Sequence, residues 1–76
     1  MTAAELMEGE SGIIRSFADV TMASQLLGLG CLPGTPVRMI RSAPFGGPFY
    51  LQVNGSQLAL RREEAFNLVL EDSRNG

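Results

Sequence analysis

Five short stretches of the 76-residue chain carry the alternating or β-branched-rich pattern of strands: residues 12–17, 35–42, 49–53, 56–60 and 66–71. Between the first two, Met22, Leu26 and Leu29 recur at i, i+4 and i+7, with Ala23 and Leu27 beside them. That spacing predicts a helix over residues 20–29. Asp19 stands before it as an N-cap, able to accept an orphan amide hydrogen bond. Gly28 weakens such a helix by about 1 kcal/mol relative to alanine. Either the helix ends early there or something packs close to its backbone. In the second strand Val37, Met39 and Arg41 fall on one face and Arg38, Ile40 and Ser42 on the other. Ile40 among the arginines suggests that both faces are partly covered. Residues 61–65 read as one helical turn before the last strand.

The turns are as informative as the strands. Gly30 is the natural place to leave the helix, because glycine takes the left-handed conformation without a Cβ penalty. Pro33-Gly34 suits the two centres of a type II turn. Asn54-Gly55 between two strands is a strong hairpin signal. Ala43-Pro44-Phe45-Gly46-Gly47-Pro48 is longer than a tight hairpin, so it is expected to project from the domain. Residues 2–10 are acidic, with Leu6 and Met7 placed to close one end of the core. The expected order is one domain over residues 1–76, with looser ends at 1–5 and 72–76. Its short strands, projecting loop and one-turn helix suggest a mostly β fold. This is a small SH3-like barrel of about five strands, with one helix inserted after the first strand and a one-turn helix before the last. Closure would hide the sheet edges.

Composition narrows the chemistry. The net charge is −2, with three glutamates and no cation in residues 1–10. No run of like charge resembles a phosphate-binding footprint, which argues against nucleic acid as a partner. One cysteine and no histidine leave no internal disulfide, no closed zinc site and no base for a nucleophilic thiolate. Cys31 therefore reads as a small buried apolar residue. No apolar run approaches the roughly 20 residues of a membrane-spanning helix, and no signal-peptide pattern opens the chain. A cytoplasmic protein that does not insert into a membrane is the expectation. Neither a catalytic constellation nor a cofactor motif is present. Glu63-Glu64 with Glu71-Asp72 offer oxygen ligands for a ferrous ion only if they converge, and adjacent carboxylates on a helical turn point apart.

Four motifs, in order and at this spacing, resemble the FeoA family: Gly12-Ile13-Ile14; Leu26 to Gly34; Ala43 to Pro48; and Leu58-Ala59-Leu60-Arg61-Arg62-Glu63-Glu64-Ala65. The resemblance runs from residue 6 to residue 71. It implies an SH3-like barrel and an accessory, non-enzymatic role in bacterial ferrous iron uptake. The implied partner is the membrane GTPase-permease FeoB, reached from the cytoplasmic side of the inner membrane. The same barrel resembles the C-terminal domain of some iron-dependent repressors. The family often carries an acidic residue where Gly28 stands and an aspartate where Gly47 stands.

The residues expected to form the partner contact are Leu26, Leu27, Leu29, Gly30, Pro33 and Gly34 in one segment. Ala43, Pro44, Phe45, Gly46 and Pro48 form the second, with Arg61 beside them. Three leucines in four positions span a wide arc, so at least one should be exposed, and exposed apolar patches mark binding sites. Arg61 and Arg62 could pair with acidic groups of a partner. The alternatives are direct binding of ferrous or another transition metal ion, and an iron-responsive interaction module. Exposed leucines on a small barrel also leave room for a homo-oligomer.

Overall fold

The computed structural model describes residues 1–71; the expected frayed tail at 72–76 lies outside them. Five antiparallel strands form one sheet in the order β4-β3-β2-β1-β5. They are β1 (Ser11–Phe17), β2 (Pro36–Ser42), β3 (Phe49–Val53), β4 (Ser56–Leu60) and β5 (Leu68–Leu70). Two short helices interrupt them: α1 (Ala23–Gly28), entered through a 3-10 turn at Val20–Met22, and α2 (Arg62–Phe66).

The sheet bends because β1 serves two partners. Its first half pairs with β2, matching Gly12 to Val37. Its second half pairs with β5, matching Ile14 to Leu70 and Phe17 to Leu68. A register shift at Arg15 marks the bend, since a bulge adds local twist and turns the strand. A second shift falls at Ile40 in β2. It corrects the face expected for Arg41. Val37 and Met39 do face the core, but beyond the bulge Arg41 pairs with Tyr50 on the outer face. Ile40 itself is left partly exposed, at 39%.

The expected closure does not occur: β4 and β5 end the sheet without pairing to each other. After Leu60 the chain turns directly into α2, so β4 does not run on toward β5. The outer edge of β5 takes the N-terminal segment instead. Thr2 bridges Val69, and the Leu70 amide donates to the Met1 carbonyl at 2.8 Å. Ala3–Glu5 form a 3-10 turn against α2 and β5. One sheet edge is thereby covered by the chain's own start. Leu6 is buried with this segment, whereas Met7 is exposed.

The core gathers Ile14, Leu26, Cys31, Val37, Met39, Leu51, Leu60, Leu68 and Leu70, all essentially without exposed surface. Gly12 lets β1 approach β5: a Cβ there would sit 2.8 Å from Leu70 Cδ1. Asn67, which sequence alone places in a strand, caps α2 and is buried. Its Oδ1 accepts from the Asp19 amide at 2.5 Å, and its Nδ2 donates to the Asp19 carbonyl at 3.2 Å. The side chain thus clasps the start of the helical segment to the start of β5. Among the described residues, no helix is long and apolar enough to cross a membrane.

Candidate functional site

The segment from Leu26 to Gly34 is two chain reversals in succession. The Gly30 amide donates to the Leu27 carbonyl and the Cys31 amide to the Leu26 carbonyl, each at 3.0 Å, with Gly30 at φ +95°. This is the Schellman end of a helix, in which the residue after the left-handed glycine packs on the residue whose carbonyl it caps. Those residues are Cys31 and Leu26, and both are fully buried. Leu26 therefore anchors the segment from beneath and offers no surface. Burial pushes the Cys31 thiol up from its ordinary pKa, with the Glu64 carboxylate adding to it. Leu32-Pro33-Gly34-Thr35 then make the second reversal. Thr35 donates to Leu32 at 3.0 Å and Gly34 has φ +91°, as a type II turn requires. The turn docks on β1, where the Gly34 amide donates to the Ile14 carbonyl at 2.7 Å.

Three leucines stay on the surface of this segment: Leu27, Leu29 and Leu32 are 40%, 42% and 50% exposed. Leu32 was not among the expected contact residues. Its signal lies in its place as the first residue of the Pro-Gly turn, where an apolar side chain has no helix to pack in. Gly28 is the last helical residue, and a Cβ there would meet nothing within 4 Å. The helix simply ends early; no neighbour needs the glycine.

The second segment is tighter than its length suggests. The Ala43 amide donates to the Pro48 carbonyl at 3.0 Å, and the Gly47 amide to the Pro44 carbonyl at 3.2 Å. Phe45 (φ +58°) and Gly46 (φ +78°) are the two central residues of this inner turn. Two successive positive φ values define a type I′ turn. Gly47 makes the closure possible, since a Cβ there would lie 2.8 Å from the Ala43 Cβ. An aspartate at this position would bring its Cβ against Ala43 and force the loop to shift. Phe45 is fully exposed at the tip.

Helix α2 stands beside this loop. Gly46, Gly47 and Pro48 line one groove with Arg61, Arg62 and Glu63. The Arg62 guanidinium lies over the Phe49 ring, 4.9 Å from its centre, and that of Arg41 over the Tyr50 ring at 4.7 Å. Glu64 is buried, with both oxygens engaged. Oε1 accepts from the Arg61 amide at 2.7 Å, closing the helix start, and Oε2 accepts from Gln25 Nε2 of α1. The helices are thereby linked through one carboxylate, which is occupied as a structural acceptor. Among the described residues, no three or more His, Cys, Asp or Glu side chains gather to hold a metal ion. Asp72, one of the four carboxylates considered from sequence, lies outside the described residues.

The family model for the FeoA domain matches residues 1–72. The chain belongs to the FeoA family. Solved FeoA structures share its architecture. A FeoA from Stenotrophomonas maltophilia, complexed with zinc and described as a prokaryotic SH3-domain protein, is 34% identical over 93% of this chain and 89% of that one, with a TM-score of 0.80. FeoA from Chlorobium tepidum is 31% identical over 92% of this chain and 68% of that one, with a TM-score of 0.81. A manganese-dependent transcriptional repressor matches at 15% identity and a TM-score of 0.82, over 91% of this chain and 35% of its own. At that identity it shares the fold alone. The SH3-like expectation thus holds for the FeoA family fold, with an open sheet in place of a closed barrel. The FeoA family is associated with ferrous iron transport. Of the expected contact residues, Pro48, Gly46 and Arg61 share a groove; the leucines of the α1 segment do not line it.

Proposed function

We propose that this chain is an accessory protein of ferrous iron uptake that docks on a FeoB-like membrane GTPase-permease and regulates or assembles it. The observation that supports this most is the set of three leucines held at the surface by two consecutive capped turns. Leu27, Leu29 and Leu32 each keep two-fifths to a half of their surface exposed, while Leu26 and Cys31 already supply the anchor. Rigid backbone beneath exposed apolar side chains favours binding, because little ordering entropy is lost on contact. Membership of the FeoA family supports the choice of partner, and the suggestion that the Stenotrophomonas protein is a ferrous iron transport activating factor supports a regulator over an enzyme. The protein would then act at the cytoplasmic face of the inner membrane, held there by its partner. Regulation follows if the domain binds one conformational or nucleotide state better than another and so shifts its population.

The surface leucines provide the test. Leu27→Gln and Leu29→Gln should weaken binding to purified FeoB at least tenfold in biolayer interferometry, with the far-UV circular dichroism unchanged. Leu26→Gln buries an unpaired amide in the core and should instead lower stability by about 3 kcal/mol or more. Full binding by the Leu27/Leu29 double variant would refute the docking face.

A further inference from the structure

The same chain builds two type I′ turns with different residues. At the β3–β4 hairpin the central pair is Asn54 (φ +51°) and Gly55 (φ +87°), the pair that such a turn prefers. At the tip of the β2–β3 hairpin the central pair is Phe45 and Gly46. Phenylalanine is costly in the left-handed region, where its Cβ crowds the backbone. Its ring gains nothing in return inside the molecule, because it is fully exposed. Backbone strain held at a surface position points to a use for the side chain.

What surrounds the ring indicates its partner. Arg61 and Arg62, two of the chain's six cations, line the groove beside this loop. The Arg62 guanidinium lies over the Phe49 ring, 4.9 Å from its centre. Stacking orders a guanidinium while leaving its edge donors free for a planar carboxylate. Among the described residues, Glu63 is the one acidic side chain lining the groove, against two arginines; the neighbouring Glu64 carboxylate is buried and taken up by the Arg61 amide and Gln25.

We infer that the Phe45 turn and these arginines form a recognition surface for an acidic protein segment carrying large apolar side chains. The apolar residues cover the Phe45 ring, and the carboxylates meet Arg61 and Arg62. The inference deepens the docking proposal by giving the chemistry of what the loop receives.

The test is panning of a random dodecapeptide display library on the intact protein, followed by titration of the enriched synthetic peptides. Enriched sequences should combine several Asp or Glu with an aromatic or branched aliphatic residue. Their affinity should fall at least tenfold in Phe45→Asn and in the Arg61→Gln/Arg62→Gln double variant, and should weaken from 50 to 500 mM NaCl. Phe45→Asn suits the turn better than the native residue, so it remains folded and its thermal midpoint should not fall. Enrichment without acidic bias, no enrichment, or full binding by Phe45→Asn would overturn the inference. So would a preference for vesicles of 30% phosphatidylglycerol in phosphatidylcholine over acidic peptides, which would assign the surface to lipid. Peptide binding without FeoB binding would refute the transporter as partner but not this surface. FeoB binding untouched by Phe45→Asn would refute this surface but not the transporter.

Discussion

Phe45 is where the residue scale departs furthest from local preference. Replacing it with asparagine removes left-handed strain while preserving the turn, so stability should rise by about 1 kcal/mol. Urea denaturation checks this; a loss of stability would mean that the ring packs against the domain in solution. Asp19 behaves oppositely, obeying every local rule. Its carboxylate accepts from the Thr21 amide and hydroxyl at 3.0 and 2.8 Å. Those bonds, the backbone one first, hold its pKa below the ordinary 3.8. A pKa lowered by folding stabilises the native state above 3.8, and this contribution is lost as pH falls through the lowered value. The gap in thermal midpoint between wild type and Asp19→Ala should therefore be widest near neutrality and narrow in acid. A gap that widens below pH 4 would contradict the cap.

At the scale of elements, legibility followed the range of the interactions involved. Strands β3 and β4, with the Asn54-Gly55 turn between them, could be read directly because alternation and turn chemistry are local. So could the exits at Gly30 and Pro33-Gly34. The bulges at Arg15 and Ile40 could not, since alternation runs through them and only the partner strand shows the shift. The Phe45 turn was hidden for the reverse reason: nothing in the side chain announces a positive φ. Asn67 was hidden because its clasp reaches back 48 residues to Asp19. Gly28 and Gly30, at and beyond the end of α1, test the same division. Gly28 ends the helix with open space around it, so Gly28→Ala should stabilise by up to about 1 kcal/mol. Gly30 holds the left-handed cap, so Gly30→Ala should destabilise by about 1 kcal/mol. Equal effects of the two substitutions would contradict the Schellman end.

For the whole molecule, the family and mostly β architecture were legible, while the open sheet was not. Closure depends on how the two terminal strands meet, and here α2 follows β4 at once while the N-terminus occupies the edge of β5. For the candidate contact, sequence could propose two segments but could not tell which side chains in them reach the surface: burial separates Leu26, an anchor, from Leu27 and Leu29, which stay exposed. What emerges is a small rigid frame that displays leucines on one segment and a strained phenylalanine among arginines on another. The docking proposal turns on whether that display reads the state of a transporter. The most direct measurement is biolayer interferometry of the intact chain on purified FeoB in three conditions: GTP analogue, GDP and no nucleotide. The account predicts at least a fivefold difference in Kd among them, which is a coupling free energy of about 1 kcal/mol. Absence of binding by the folded chain in all three conditions would contradict it, and equal affinity in all three would reduce the chain to a scaffold without a regulatory role.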